Sequence, residues 1–334
     1  MLYKLRWVIA TLITAVVIAL FAFGWWFFLA IRPANPSVKQ AISYQLEPGT
    51  SVDDLAAQLQ EAGIIKNGAA FKLLVTIRGL RPSLKAGSYD LNPNETMNDI
   101  ASQIAEGRVA VNKLVIPEGA DIAQIRELAG DKGITRDQFD AAVKAAYPHN
   151  FLAARPAGYT SLEGYLFPDS YEITKPPRPR AVVELMLDTF AEKVSKTDVA
   201  KSFAAEGMTL HQGLTLASIV EKEVGNPADR PMVAGVFFNR LRAGQKLETD
   251  PTVDYAAKLL GKPFNLSLDS PYNTYRYGGL PPGPICSPGL SSMQAVAHPA
   301  KHDFLYFLSD KEGKTHYAKT LPEHIENIKR YLAN

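Results

Sequence analysis

The N-terminal region of the chain holds its longest apolar run. Residues 7–31, from Trp7 to Ile31, contain no charged side chain, and about 20 such residues in a helix are enough to cross the hydrocarbon core of a bilayer. Trp7 and the pair Trp25-Trp26 stand near the two ends of the run, where amphipathic rings settle at membrane interfaces. The pattern predicts a transmembrane anchor over 7–31 that follows a short cytoplasmic N-terminus, residues 1–6.

A cleaved signal peptide is the alternative interpretation of this run. Signal peptides carry an apolar region of about 7–15 residues that ends in a small-residue cleavage site. Here the run is longer, and bulky residues, Trp25 to Phe28, occupy the place where cleavage would occur. Lys4 and Arg6 precede the run, and this slight excess of positive charge favours a cytoplasmic N-terminus. We therefore expect an uncleaved single-pass anchor, with nearly all of the protein outside the cytoplasm.

After a proline-containing linker, residues 32–43, a pattern of short strand, turn and helix start occurs three times. The copies begin at Tyr44, Tyr89 and Leu114. The residues that would cap the three helices are Ser51, Thr96 and Asp121, and those three positions later are Asp54, Asp99 and Gln124. Side chains of these types accept hydrogen bonds from the first free helix N–H groups and can complete capping boxes. The first two copies predict a strand–helix–helix–strand module over 44–110.

Beyond this module the pattern is mainly helical, with few strands. Helices are predicted over 122–128, 139–146, 181–193, 210–224 and 322–332, a strand over 302–307, and a rigid loop over 279–284. The fold class that follows is α+β, with one N-terminal membrane helix, a small module and a larger mixed α+β domain over 111–334.

Composition narrows the function classes. The 334 residues are 46% hydrophobic and 21% charged, which is typical of a folded protein rather than a disordered one. The net charge is +2, from 36 basic and 34 acidic residues, and no clustered basic surface is present for nucleic acid. Cys286 is the only cysteine, so an intramolecular disulfide is excluded.

The predicted helix over 210–224 carries two carboxylates near its end. At about 100° per residue, Thr215, Ser218 and Lys222 would form its polar face, and Glu221 and Glu223 lie on opposite borders of that face. A carboxyl group that is half buried against aliphatic side chains has a raised pKa, as a general acid near neutral pH requires. Helix geometry alone does not choose between the two glutamates, and two solvated border residues are an equally good interpretation.

Further motifs follow in a fixed order along the chain. They are Leu162-Glu163-Gly164-Tyr165 with Phe167-Pro168-Asp169, Asn239-Arg240-Leu241, Thr249-Asp250-Pro251-Thr252, Tyr272-Asn273-Thr274-Tyr275, Gly279-Leu280-Pro281-Pro282-Gly283-Pro284, Ser287-Pro288-Gly289 and Ala297-His298-Pro299. This ordered set resembles the endolytic murein transglycosylases of the YceG-like family over about residues 155–334. The anchor matches the family's layout, and the 44–110 module resembles LysM modules, which bind cell-wall glycans. A plain packing domain is the alternative for that module.

The resemblance implies which residues form the site. The family's essential glutamate is the second of Glu221-Lys222-Glu223, so Glu223 is the expected catalytic residue. The residues expected around a glycan cleft are Glu163, Asp250, Tyr272, Asn273 and Tyr275. Asn273 or the loop over 279–284 would hold an N-acetyl group, and the tyrosines, Tyr277 among them, would stack on sugar faces. Core packing is the alternative for each tyrosine.

The resemblance also implies the activity and its setting. The enzyme would be a lyase that cleaves the MurNAc–GlcNAc bond of nascent peptidoglycan strands and leaves 1,6-anhydroMurNAc ends, which would terminate strand elongation. Its partners would be glycan strands and peptidoglycan synthases, without nucleic acid, metal or cofactor. The anchor would lie in the inner membrane and the catalytic domain in the periplasm. A membrane-anchored, non-catalytic peptidoglycan-binding or scaffolding protein is the alternative function.

Two other chemistries find little support in the sequence. Cys286 with His298 or His316 would be needed for a cysteine nucleophile, but no family signature surrounds Cys286. His298 and His302 have the spacing of zinc ligands on a helix, but Pro299 follows His298 and no third ligand accompanies them. We therefore expect neither a thiol enzyme nor a metal site.

Overall fold

The computed structural model of the chain describes residues 2–332. Met1, Ala333 and Asn334, which belong to the predicted N-terminal and catalytic segments, lie outside the described residues. Helices predominate, and the strands form two-stranded sheets, so the predicted mixed α+β class is confirmed. Contacts divide the chain into two compact units, one up to Asn112 with Thr174–Pro176, the other Lys113–Ile173 with the chain from Pro177 onward. The functional assignments of the predicted segments stay predictions.

The first unit begins with the apolar helix. Its elements are α1 (Leu2–Ala30), β1 (Ile42–Leu46), α2 (Val52–Glu61), α3 (Gly68–Ile77), β2 (Gly87–Leu91) and α4 (Met97–Glu106). Within α1, the stretch Arg6–Ala30 is 25 residues long and apolar enough to cross a membrane. Its most apolar 18 residues are not buried inside the protein. The described residues therefore contain one candidate span, at the predicted position, whereas its orientation stays a prediction.

A strand–helix–helix–strand order follows α1. Strands β1 and β2 pair antiparallel, with Ile42 opposite Leu91 and Tyr44 opposite Tyr89, and helices α2 and α3 lie between them in the chain. Leu59, Phe71 and Tyr89 are fully buried in the core of this unit. The order of elements is the predicted one, and the resemblance of this unit to LysM modules stays a prediction.

The three predicted helix caps are confirmed. Ser51, Thr96 and Asp121 each accept a hydrogen bond from the backbone N–H three residues later. At Thr96 and Asp121 the reciprocal bond completes a capping box. At Ser51 the hydroxyl instead donates to the carboxylate of Asp54 at 2.7 Å. The short polar side chain at each cap thus fixes where the helix begins.

Most of the chain from β3 onward belongs to the larger unit. Its elements are β3 (Val111–Val115), α5 (Ile122–Gly130), α6 (Arg136–Val143), α7 (Asn150–Ala153), β4 (Ser170–Thr174), α8 (Pro179–Ser195), α9 (Val199–Ala205), α10 (Leu210–Glu223), α11 (Arg230–Arg242), α12 (Asp250–Leu260), α13 (Leu290–Ala297), β5 (Tyr306–Ser309), β6 (Thr315–Ala318) and α14 (Leu321–Tyr331). Strand β3 pairs with β4, and β5 pairs antiparallel with β6. The predicted strand over 302–307 begins later, because His302 bonds to backbone groups of Met232 and Phe304 in a loop.

Helix α10 lies at the centre of this unit, against α9, α11, α12 and α13. Every residue from Gly213 to Val220 is buried. The expected polar face is therefore wrong for Thr215 and Ser218, whose hydroxyls donate to helix carbonyls at 2.7 Å. Such bonds satisfy a hydroxyl within its own helix and allow its burial. The loop at Ile285 covers this face, with its N–H donating to Ser218 Oγ at 3.0 Å.

The proline- and glycine-rich loop over 279–284 is fixed at the start of α10. His211 contacts the Pro282 carbonyl through Nε2 at 2.8 Å and the Tyr165 hydroxyl through Nδ1 at 2.9 Å. Burial lowers the pKa of His211, so the neutral ring donates to the carbonyl and accepts from the tyrosine. Gly164, at φ +81°, lies so close to Pro284 that a Cβ would stand 2.4 Å from its ring. Only glycine combines this backbone conformation with this approach.

Candidate active site

The two glutamates at the end of α10 have different surroundings. The Glu221 side chain is 5% exposed, and its Oε1 accepts from Arg230 Nη2 at 2.8 Å. Its Oε2 accepts from the backbone N–H of Gly289 at 2.9 Å. Both oxygens are thus satisfied by the fold. Glu221 therefore holds α10, α11 and the start of α13 together. Removal of one partner from such a buried ion pair leaves the other charge buried and unpaired.

Glu223 is the last residue of α10 and is half buried. Within residues 2–332, no hydrogen bond or ion pair engages its carboxyl group. Burial raises the pKa of Glu223 to about 7, and the charge of Asp250 raises it as well. The partial negative charge at a helix C-terminus also disfavours a carboxylate there. Near neutral pH this group can therefore donate a proton and later take one back.

Glu223 lines a cavity of about 500 Å³ in the larger unit. Asp250 and Tyr275 border the same cavity, as do Tyr306 of β5 and Leu321 at the start of α14. Carboxylates and hydroxyls therefore face the same space as aromatic and aliphatic side chains. This combination suits a sugar chain, because sugars present hydroxyl edges to hydrogen-bonding groups and C–H faces to apolar ones.

Asp250 and Tyr275 are joined within the cleft. The Tyr275 hydroxyl donates to Asp250 Oδ1 at 2.7 Å. Burial, together with this bond to an anion, raises the pKa of Tyr275. Asp250 is the first residue of α12, where the helix favours a negative charge. The structure thus brings three predicted site residues, Glu223, Asp250 and Tyr275, to one cavity.

Sequence reasoning did not assign two further residues of the cleft, Arg240 and Glu248. The Arg240 guanidinium pairs with the Glu248 carboxylate and also donates through Nε to the Lys246 carbonyl at 2.8 Å. Glu248 has a left-handed backbone, φ +54°, which is uncommon for a residue other than glycine and is often found at functional sites. Arg240 belongs to the Asn239-Arg240-Leu241 motif, but nothing in the sequence indicates the backbone conformation of Glu248.

Comparisons with known proteins decide the family. The model of the YceG-like family matches residues 44–330. This chain belongs to the YceG-like family. The match includes both the strand–helix–helix–strand region and the larger unit, so the family resemblance seen in the sequence is confirmed.

Individual YceG-like relatives cover most of the chain. A protein named endolytic murein transglycosylase from Bacillus subtilis (strain 168) is 30% identical over 91% of this chain and 88% of the relative. One of the same name from Streptococcus pneumoniae serotype 2 is 29% identical over 93% of this chain, which spans only 62% of that longer relative. The crystal structure of a YceG-like protein from Listeria monocytogenes is 34% identical, with a TM-score of 0.54 over 87% of this chain and all of that one.

Glu163 of this YceG-like chain lies away from the Glu223 cavity. Its side chain is buried and accepts from the Ile122 N–H and the Tyr255 hydroxyl, each at 3.1 Å. Burial raises the pKa of Glu163 to about 8, against the opposing effect of these hydrogen bonds. Because it joins the start of α5 to α12, this placement favours a positioning role. It gives the predicted substrate contact no support.

Tyr272 and Asn273 of this YceG-like chain do not line the Glu223 cavity either. The Tyr272 ring is half buried and packs edge-on against Tyr255, with centroids 5.0 Å apart. Asn273 is fully buried; its Nδ2 donates to the Leu268 carbonyl at 2.7 Å, and its Oδ1 accepts from the Tyr275 N–H at 3.0 Å. Asn273 therefore orients Tyr275, and its geometry favours this role over a direct contact with an N-acetyl group.

Two residues of the alternative chemistries, Cys286 and His302, are engaged in contacts within the fold. Cys286 is fully buried, contacts the Ser218 carbonyl at 3.4 Å, and has a pKa raised by burial, so its reactive thiolate is disfavoured. His302 is held in its loop by bonds to backbone groups. Over residues 2–332, no group of three or more His, Cys, Asp or Glu side chains is placed to hold a metal ion.

Proposed function

We propose that this chain is an endolytic murein transglycosylase in which Glu223 is the single acid and base. The observation that carries this proposal is the contrast at the end of α10. Glu223 lines the cavity with no bonding partner among the described residues and a pKa of about 7, whereas both oxygens of Glu221 are engaged. The activity named for the Bacillus subtilis relative, 30% identical, supports the assignment of the reaction.

The proposed reaction uses one carboxyl group twice. Glu223 donates its proton to the oxygen between MurNAc and GlcNAc as the bond from that oxygen to MurNAc C1 breaks. The Glu223 carboxylate then takes the proton of the C6 hydroxyl of the same MurNAc as O6 bonds to C1. The product is a 1,6-anhydro ring, and water is not consumed. Most glycosidases instead need two carboxylates, because water is their final nucleophile.

The other cleft residues have supporting roles in this proposal. The Asp250 carboxylate favours the protonated form of Glu223 and stabilises the positive charge that develops at C1. The aromatic rings of Tyr275 and Tyr306 border the cavity and offer faces for sugar C–H groups. Tyr275 is held in place by Asp250 from one side and by Asn273 from the other.

The setting is proposed from the sequence pattern and the relatives. Helix α1 would anchor the chain in the inner membrane with the catalytic unit in the periplasm, close to peptidoglycan synthases. The strand–helix–helix–strand region would be a LysM-like module that binds glycan. Cleavage within nascent strands would then terminate their elongation, in keeping with the word endolytic in the relatives' name.

The decisive experiment is mass spectrometry of the products from purified glycan strands. We expect 1,6-anhydroMurNAc ends that contain no heavy oxygen after digestion in labelled water. Reducing ends that carry heavy oxygen would reveal a water nucleophile and a hydrolase. A protein that binds the strands without cleaving them would instead support the scaffolding alternative.

The anchor is tested separately. A reporter fused after Asn334 should lie outside the cytoplasm and remain in the membrane fraction. A soluble mature protein that begins near Arg32 would show the apolar segment to be a cleaved signal peptide.

A further inference from the structure

Helix α14 packs against the sheet of β5 and β6 through aromatic and polar residues. The ring of His324 stacks on Tyr306 with centroids 5.2 Å apart, and Tyr331 stacks on His316 at 3.6 Å. Between them, Asn327 donates from Nδ2 to a backbone carbonyl of β6 at 3.4 Å. Aromatic and polar side chains of α14 thus make these contacts with the sheet.

The aliphatic residues of α14, together with Leu332 at its C-cap, lie on a different face. Leu321, Ile325, Ile328 and Leu332 are 52%, 43%, 39% and 41% exposed. Their spacing of four, three and four residues places them in one narrow line along the helix. We call these four residues the α14 stripe. A helix of a soluble domain normally turns such a stripe towards the core, so its exposure on α14 points to something that covers it.

The α14 stripe begins at the cleft. Leu321, its first residue, lines the same cavity as Glu223, and so does His324 from the inward face. Phe307 and Leu308 of β5 line this cavity as well, so the stripe begins beside apolar residues of the cleft. Whatever covers the stripe also lies at the mouth of the candidate active site.

The size of the α14 stripe favours a lipid surface over a protein. Four half-exposed aliphatic side chains can bury on the order of 300 Å², whereas each side of a standard protein–protein interface buries about 800 Å². An amphipathic helix that lies in the interface of a bilayer needs only such a stripe, with polar residues above it. The chain also contains a 25-residue apolar segment long enough to cross a bilayer.

The charged residues around the α14 stripe also favour a lipid surface. On the helical wheel, Lys329 is the charged residue beside the stripe, and Arg330 follows in the same last turn. The Glu323 carboxylate is occupied by the N–H groups of Lys319 and Thr320 at the helix start. Glu326 lies on the wheel well away from the stripe. The aliphatic stem of a lysine can lie along apolar surface while its ammonium reaches a lipid phosphate.

We infer that α14 lies in the interface of a phospholipid bilayer, with the α14 stripe in the region where headgroups meet acyl chains and Lys329 directed to lipid phosphates. A membrane anchor on the same chain would raise the effective concentration of this surface, so a weak interaction suffices. The mouth of the Glu223 cavity is then held at the lipid surface. If the proposed function holds, the cut falls in the part of a strand nearest the membrane.

The test uses the full chain in nanodiscs that hold one copy each, made from neutral phosphatidylcholine or from its mixture with anionic phosphatidylglycerol. Ile328→Cys is labelled with an environment-sensitive dye, and Glu326→Cys is the matched control from the same helix. Cys286 is fully buried, and the unaltered chain measures its background labelling. We expect lipids with a spin label on the acyl chain to quench the dye at 328 several-fold more than at 326. Lys329→Glu should reduce quenching at 328 in the anionic discs.

Equal quenching at 328 and 326 in both kinds of disc would overturn the inference. Energy transfer between dyes on two copies in detergent, without lipid quenching in single-copy discs, would assign the stripe to a second copy instead. Ile325→Ser should reduce lipid quenching of the dye at 328 but leave glycan cleavage in detergent unchanged, because Ile325 does not line the cavity. Lipid quenching in a chain that cleaves no glycan would contradict only the proposed function.

Discussion

Glu163 and Glu223 are two carboxyl groups of the same unit whose pKa values are both raised, to about 8 and about 7, by burial. Their surroundings differ in every other respect. Glu163 is buried among partners that hydrogen-bond it, from α5 and α12. Glu223 stands at the end of α10 beside a cavity, with no bonding partner among residues 2–332. A raised pKa therefore indicates burial for both glutamates. Only Glu223 is also open to a ligand, and this access distinguishes the reactive group.

The largest expected effect belongs to Glu223→Gln. The amide has the shape of the acid but cannot transfer a proton, so we expect cleavage to fall by about 10²–10⁴-fold with little change in Tm. Glu163→Gln is the matched control and should retain most activity. Activity assays and thermal unfolding of both variants make the comparison. If Glu163→Gln were inactive at native Tm while Glu223→Gln stayed active, the roles would be reversed.

The second effect is on stability and separates Glu221 from Glu223. Glu221→Gln removes the charge of the near partner of Arg230, at 2.8 Å, and leaves only the longer ion pair with Glu118, at 3.9 Å. Breaking a buried ion pair costs about 3–5 kcal/mol. Chemical unfolding measures this loss. Fractional activity per folded molecule should remain substantial at low temperature. An inactive Glu221→Gln protein with native stability would make Glu221 the acid.

The third effect is a dependence of stability on pH that Glu163 should cause. Its folded pKa, about 8, lies above its ordinary value of 4.5. Between these values the folded state keeps a proton that the unfolded state has lost, so unfolding releases a proton and stability falls as pH rises. Its contribution is fully present below about pH 4.5. The Tm of the unaltered protein should thus fall more steeply from pH 5 to 8 than that of Glu163→Gln; parallel curves would contradict a protonated Glu163.

The smallest effect concerns the tuning of Glu223 by Asp250. Glu223 must be protonated to act as an acid, so activity should decline as pH rises through about 7. Asp250→Asn removes a negative charge and should move this decline to lower pH, while its amide oxygen can still accept from Tyr275. Tyr275→Phe keeps the charge and is the control. The pH dependence of kcat/KM measures both, and an unmoved decline in Asp250→Asn would contradict the coupling.

Local sequence signals predicted the elements well where one side chain decides the outcome. Thr96 and Asp121 fixed helix starts, because a cap is set by residues three positions apart. The surroundings of α10 were not predictable in this way. Thr215 and Ser218 look polar in sequence, but a loop more than sixty residues later covers them, and no local pattern encodes such a contact.

The same distinction between local signals and tertiary packing applies to the residues of the candidate site. Family resemblance selected Glu223, Asp250 and Tyr275, which meet at one cavity, but it could not show that Glu163 and Asn273 are engaged by backbone groups outside that cavity. Whether a polar side chain faces a cavity or a backbone group depends on tertiary packing. The conformation of Glu248 has no signal in the sequence for the same reason.

The unbroken burial of α10 from Gly213 to Val220 has a consequence for how the protein opens. Amide hydrogens of such a helix exchange with solvent only when the whole unit unfolds, whereas elements with few buried contacts open locally. Helix α14 has no buried residue, so we expect its amides to exchange early. On warming, the surface helix should detach and fray while the segment that carries Glu223 still holds its shape.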